Sequence, residues 1–279
     1  MDNDRSPLMR RFDIKRVHDR QPERAVDEVA REEPLDIRVS YWFKDVMHAQ
    51  SLALTMRTPG NDRELAAGLL LSEGVIRGPE DLVDLRVLGT EPSHEIVADL
   101  SRDVDLDAWK LQRNTVVNSS CGVCGKRSRD AVTWPDYAMN DDRLIVEASL
   151  IKKLPTLLAE RQEAFSKTGG LHAAALVNTA GEVEQVFEDI GRHNALDKLI
   201  GSCLLRGGLP LRDRILFLSS RSSFELVQKT IMAGGLMLVT IGAPSSLAVE
   251  TAREFGVTLV GFARERRFNI YSGEWRITL

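Results

Sequence analysis

The chain has 279 residues, 43% of them hydrophobic and 28% charged, with a formal net charge of -4; this composition describes a soluble globular protein with one large or two modest cores. The acidic balance gives no overall attraction to nucleic acid. Only three cysteines occur, Cys121 and Cys124 close together and Cys203 alone in an apolar stretch, so no disulfide framework is available and a reducing, cytoplasmic setting is expected.

The N-terminus begins Met1-Asp2-Asn3-Asp4-Arg5 and alternates charges to about Arg31 without the apolar core of a signal peptide. Residues 1–30 are therefore expected as a flexible tail running into a first strand. Strand-like stretches follow at Asp36 to Phe43 and at Ser51 to Arg57. Thr58-Pro59-Gly60-Asn61-Asp62 reads as a turn that caps an apolar helix from Glu64 to Ser72, with Gly74 as its stop. His94 to Leu100 reads as another strand, which completes a small mixed α/β unit over residues 31–115.

The run Cys121-Gly122-Val123-Cys124-Gly125-Lys126 comes next, preceded by Ser119-Ser120 and followed by Arg127 and Arg129. A thiol reacts as thiolate, and neighbouring cations lower the cost of ionising it. The glycines and charges describe an exposed, mobile loop over residues 116–130. A structural zinc site would need a second pair or added histidines, and no second Cys-x-x-Cys exists. A dithiol redox pair is a second possibility, and a third is that one cysteine carries a labile sulfane sulfur while the other assists it.

Two polar blocks then lie ahead of a more regular half. Lys167-Thr168-Gly169-Gly170-Leu171-His172 is a glycine turn leading into the small residues Ala173-Ala174-Ala175, which permit close approach of a backbone or ligand. Glu188 to Lys198 crowds Asp189, Arg192, His193 and Asn194 before an apolar helix. Each alone reads as an ordinary helix cap or structural histidine; their crowding points to a site. After them, apolar strands at Ile215 to Leu218, Leu236 to Ile241 and Val257 to Phe262 alternate with helices at Ser222 to Ala233 and Ser245 to Phe255.

That alternation predicts a parallel sheet whose strand ends share one edge, where open sheets bind ligands. The residues delivered there are Ser219-Ser220-Arg221-Ser222-Ser223, then Gly242-Ala243-Pro244-Ser245-Ser246, then Ala263-Arg264-Glu265-Arg266-Arg267. Helix N-termini beside guanidinium groups suit a phosphate. The uncharged stretch Thr230 to Val249 is broken by Gly234-Gly235, Gly242 and Pro244, so it is not expected to span a membrane. No Walker-type loop or spaced-glycine dinucleotide fingerprint is present.

Taken together these blocks resemble the formate dehydrogenase accessory sulfurtransferases. The match covers nearly the whole chain: Thr58-Pro59, Glu64-Leu65-Ala66-Ala67-Gly68, Glu73-Gly74, the CGVCGK loop, TGGLHAAAL, EDIGRHNALDK, SSRSSFELVQK, GAPSSLAVE and GFARERRFNIYSG. The resemblance implies a homodimer with a three-layer domain, over residues 131–279, similar to the cytidine deaminase fold. It also implies transfer of sulfur from a cysteine desulfurase to the bis-molybdopterin guanine dinucleotide cofactor of formate dehydrogenase, bound as substrate.

By that resemblance Cys121 carries the persulfide, with Cys124 beside it, and the cofactor segment falls on Phe262-Ala263-Arg264-Glu265-Arg266-Arg267. Ser219, Arg221, Ser222, Ser245, Ser246, His172 and His193 complete the expected cofactor surface, with no structural metal. A cofactor-binding chaperone without covalent transfer is the alternative. Deamination is excluded, because zinc deaminases need His-x-Glu followed by Pro-Cys-x-x-Cys. Here Ala173-Ala174 follow His172, and the cysteine pair lies upstream.

Overall fold

A computed structural model describes residues 8–89, 94–104, 106 and 144–279. The loop expected over residues 116–130, with Cys121 and Cys124, lies outside the described residues.

Residues 9–30 correct the expectation of an irregular tail. They form an antiparallel ribbon of β1 (Met9–His18) and β2 (Gln21–Ala30), turned through Asp19 and Arg20, which both take positive φ. The apolar residues do not segregate: Phe12, Ile14, Ala25 and Val29 fall on one face and Met9, Val17, Val26 and Ala30 on the other, where Arg11 also pairs with Glu28 at 3.0 Å.

The next strands are β3 (Glu33–Phe43) and β4 (Val46–Arg57), longer than the sequence suggests because the two-residue turn at Lys44-Asp45 lets pairing run to its end. They join β5 (Leu82–Leu88) and β6 (Glu95–Leu100) in a sheet of order β4-β3-β6-β5. Leu35, Ile37, Val39 and Tyr41 alternate along β3 and share a core with Leu65 and Leu70 of α1 (Asp62–Ser72). Asn61 precedes α1 in the left-handed region and makes no side-chain cap, and Gly74, with φ 71°, follows its end. The expected stop therefore stands, while the cap differs because Asp62 is drawn away. Its carboxylate accepts two hydrogen bonds of 2.8 Å from the fully buried Arg57.

The larger sheet has order β13-β12-β11-β10-β8-β9. β10 (Arg214–Leu218), β11 (Met237–Thr240) and β12 (Thr258–Arg264) are parallel neighbours, in line with the strand and helix alternation. β8 (His172–Asn178), β9 (Val183–Asp189) and β13 (Arg267–Ser272) run antiparallel to their partners. α2 (Ala148–Ala159) and the short α3 (Glu163–Thr168) precede β8. α4 (Arg192–Leu205), α5 (Phe224–Met232) and α6 (Ser246–Glu254) link the later strands. The short strands β7 (Val146–Glu147) and β14 (Ile277–Thr278) pair in parallel and tie the start of this unit to its end. The stretch from Thr230 to Val249 is the end of α5, all of β11 and the start of α6, and among the described residues no helix is long and apolar enough to cross a membrane.

The two units meet where α1 lies on α4. A methyl group at Gly68 would overlap the backbone carbonyl of Asp197, and one at Gly201 would overlap that of Glu64. Residues 64 and 68 on one helix and 197 and 201 on the other thus form facing i,i+4 rows whose backbones touch. Buried polar groups flank this contact. Lys198 Nζ lies 2.7 Å from Asp189 Oδ2 and donates to the Thr58 carbonyl at 2.8 Å, while the Thr58 N–H donates to the same carboxylate oxygen at 3.1 Å. On the other side Lys229 donates to both oxygens of Asp197 at 2.8 Å, and Ser72 Oγ donates to Asp197 Oδ1 at 2.9 Å. Asp197 is fully withdrawn from water, and that desolvation raises its pKa against the opposing pull of Lys229.

Two stability outcomes are expected. Gly68→Ala gains about 1 kcal/mol of helix propensity but must separate two helix backbones, and overpacking costs about 1–3 kcal/mol or more, so its urea midpoint should fall. Asp189→Asn should cost about 3–5 kcal/mol by stranding the Lys198 charge, and adding Lys198→Met should recover part of that loss in the same denaturation series.

Candidate functional site

The carboxyl ends of β10, β11 and β12 share an edge with the start of β8 and the end of β9, because β8 runs against β10 and β9 against β8. That edge gathers His172, which is paired across the ladder with Asp189, then the N-terminus of α4 with Arg192 and His193. It also holds the loops at residues 219–223 and 241–245, and Phe262. The loops are laced to each other by backbone. Ile241 N–H donates to the Leu218 carbonyl at 3.1 Å, Gly242 to Ser220 at 2.9 Å, Ser222 to Ala243 at 3.2 Å and Phe262 to Gly242 at 3.0 Å. At Gly242 an added Cβ would meet the Arg221 backbone at 2.7 Å, so glycine is what lets these loops touch.

Several serines expected as ligand donors are already engaged. Ser219 Oγ accepts from the Ala173 N–H at 2.8 Å and pins the start of β8. Ser222 is buried, with its hydroxyl 3.3 Å from that of Thr240. Helix α5 begins at Phe224, two residues later than expected, because residues 220–222 continue the loop pairing. Ser245 caps α6 by accepting from the Ala248 N–H at 3.2 Å, which is the ordinary structural role of such a residue. Ser246, the first residue of that helix, is exposed.

The segment from Phe262 to Arg267 forms the end of β12, its turn, and the first residue of β13. Phe262 takes φ 52°, uncommon for a bulky residue, and is 37% exposed. Ala263 is buried, and Arg264 Nη1 donates to the carbonyls of Ile241 and Ala263 at 2.8 Å each, which fastens this strand to the neighbouring loop. Glu265 accepts from Thr156 Oγ1 of α2 at 3.2 Å. Arg266 and Arg267 are exposed at the turn. With strands spaced about 4.8 Å apart, three strand steps put β12 roughly 14 Å from β8. The arginine turn and His172 therefore lie at opposite ends of one extended edge.

At the β8 end the electrostatics are unusual. Burial and the charges of Arg192 and Arg221 hold the His172 pKa below its ordinary value, with Asp189 pulling the other way. For His193 burial, then Lys229, Arg192 and His172, push the pKa down to about 3, so its ring is neutral across the physiological range. His193 Nε2 is 3.5 Å from Ser223 Oγ and 3.9 Å from Glu225. Asp189 and Asn194, which read as helix caps, are instead part of the joint between the units. Asp189 accepts from the Gly191 N–H at 2.8 Å and from Asn194 at 3.0 Å, and Asn194 also donates to the Met56 carbonyl of β4 at 2.8 Å. Sequence reasoning placed Ser223 on this edge but missed Thr58 as a partner here, and the crowded polar run from Glu188 to Lys198 was the available signal. Cys203 lies apart: it is buried, receives a 3.7 Å hydrogen bond from Gln185, and burial pushes its thiol up to about 11, which leaves it unreactive.

The His193 shift has a sign that can be checked. An unfolded imidazole titrates near 6.5, so below that pH the unfolded chain takes up a proton that folded His193 refuses. Its contribution to stability is complete above about pH 6.5 and is lost as pH falls toward 3, with a limiting slope of about 1.4 kcal/mol per pH unit. Urea denaturation at pH 7, 6 and 5 should show a shallower fall for His193→Gln than for the natural chain.

A model of the FdhD/NarQ family matches residues 30–278. The chain is 43% identical over 272 residues to the sulfur carrier protein FdhD of Streptomyces avermitilis, covering 95% of this chain and 94% of that one. It is 40% identical over 269 residues to the sulfur carrier protein FdhD of Saccharolobus solfataricus, covering 96% and 98%. A crystal structure from Desulfotalea psychrophila, described as that of a formate dehydrogenase accessory protein, superposes with a TM-score of 0.72 at 22% identity over 98% of this chain and 100% of that one, a likeness that carries the fold. Residues 30–278 span both sheets, the helix joint between them and the shared edge, and the chain belongs to the FdhD/NarQ family.

Proposed function

We propose that this protein is a sulfur carrier for formate dehydrogenase, taking sulfur from a cysteine desulfurase on Cys121 and passing it to a bis-molybdopterin guanine dinucleotide cofactor held as substrate. The observation that carries this reading is the similarity, along almost the whole chain, to proteins named sulfur carriers. In that reading the Cys121 thiolate attacks the outer sulfur of the donor's persulfide, a new S–S bond forms, and the donor cysteine leaves as thiolate. The outer sulfur later departs from Cys121, which returns to thiolate, and takes its two electrons from molybdenum in a reduced state. Cys124 stands three residues away and assists.

The cofactor's guanosine diphosphate arms suit the shared edge for a physical reason. Exposed Arg266 and Arg267 offer guanidinium donors to phosphate oxygens. The mixed six-stranded sheet, with helices between parallel strands, supports a cytidine deaminase-like arrangement for the larger unit. A homodimer and a cytosolic location belong to the same reading.

Two measurements test it. Cys121→Ala should fail to take up label from a sulfur-loaded desulfurase, read by intact mass with and without reductant, and should leave formate dehydrogenase inactive. Delivery of active cofactor with no label passing through the thiol would instead establish a carrier of cofactor alone. Arg266→Glu with Arg267→Glu should weaken guanosine diphosphate binding by about tenfold or more in calorimetry while Cys121 loading is unchanged; equal affinity would remove that turn from the site.

A further inference from the structure

The β8 end of the edge carries positive charge that the described residues do not balance. Arg192 is the first residue of α4, and Arg221 is exposed in the loop after β10. Among the described residues neither guanidinium forms an ion pair. Asp189 is engaged by Lys198, Thr58, Gly191 and Asn194, and Glu225 sits against His193. Among the described residues the Nε of Arg192 is withdrawn from water with no hydrogen-bond acceptor. A charged donor left so is rare in a folded protein and points to an acceptor beyond these residues, such as an ordered water or a bound anion. The first backbone N–H groups of a fourteen-residue helix add a third positive pole.

We propose that Arg192 and Arg221, with the N-terminus of α4 and the half-buried His172, form a phosphate subsite that receives one phosphate of a nucleoside diphosphate arm. The proposal rests on the reading above, in which that arm belongs to the bound cofactor, and it names Arg192 as the residue that positions it. Two guanidiniums and a helix N-terminus match the several oxygens of a phosphate better than a carboxylate, because planar guanidinium forks each engage two oxygens and the helix end takes a third. Neutral His193 contributes no charge of its own. Its ring lies 3.5 Å from Ser223 Oγ, and its neutrality spares Arg192 a repelling neighbour. Arg266 and Arg267, some three strands away, would meet a different part of the same extended ligand.

Calorimetry on the intact chain with guanosine diphosphate, and separately with inorganic pyrophosphate and inorganic phosphate, tests the assignment. Arg192→Gln and Arg221→Gln should each lower guanosine diphosphate affinity by about tenfold or more, as expected when a charge-assisted hydrogen bond is lost, and Arg192→Lys should recover part of it. Arg221 is exposed, so its variant carries the test if Arg192→Gln folds poorly. Guanosine diphosphate should also raise the His172 titration midpoint followed by NMR in the natural chain, and should leave it unmoved in Arg192→Gln.

Unchanged affinity in both glutamine variants, with an unmoved His172, overturns the subsite. If Arg266→Glu with Arg267→Glu still abolishes binding in that case, the cofactor reading survives without it. Pyrophosphate or phosphate binding that depends on Arg192, in a chain that does not bind guanosine diphosphate, supports the anion subsite and overturns the nucleotide arm. Absence of binding by all three probes overturns both.

Discussion

The structure depends on how closely α1 can approach α4. Gly68 and Gly201 let the two helix backbones touch, and the buried pairs Asp189 with Lys198 and Asp197 with Lys229 occupy the space on either side. Removing one partner of such a pair is far costlier than the pair's net contribution is favourable, because a lone charge would stay buried. The seam therefore specifies one arrangement of the two units more than it stabilises them. Its consequence for the site is direct: Asp189, Ile190 and Asn194 are bonded to Thr58 or Met56 of the smaller unit, so the N-terminus of α4 is oriented from outside its own sheet.

From that joint the edge follows. Three parallel strands end together, and two antiparallel strands bring His172 and Asp189 to the same line. Loops after β10 and β11 continue the pairing beyond the strands, so they are held as firmly as a sheet and present fixed groups to solvent. Most hydroxyls in them serve that internal order, and it is the guanidinium groups that remain available to a ligand. The edge is long and carries positive groups at both ends, which suits an extended anionic molecule better than a small one.

Much of this could be read from the residues. The alternation of apolar runs and turn residues between Ile215 and Phe262 anticipated β10, β11 and β12 and the helices between them, because buried parallel strands read as short continuous apolar runs bounded by turn residues. Asp36 to Phe43 and Glu64 to Ser72 were equally plain. The ribbon at residues 9–30 was hidden because apolar and charged residues are mixed on both of its faces, so no alternation marks it before its cross-strand partners are known. Ser219, Ser222 and Ser245 looked like ligand donors, since sequence reports a hydroxyl but not the N–H or hydroxyl that already engages it.

By itself, then, the sequence determined the chemistry that is local: a cation-flanked cysteine pair, strands and helices in order, glycines where chains must pass closely, and the motifs that identify the family. The tertiary structure alone decided which of those groups share an edge and which are spent on internal bonds. Residues 58 and 189 become neighbours only when the two units have packed, and 172 and 192 only when β8 and β9 have paired. Local propensity acts over a few residues, whereas the electrostatics around His172, Arg192 and His193 sum charges brought from separate elements.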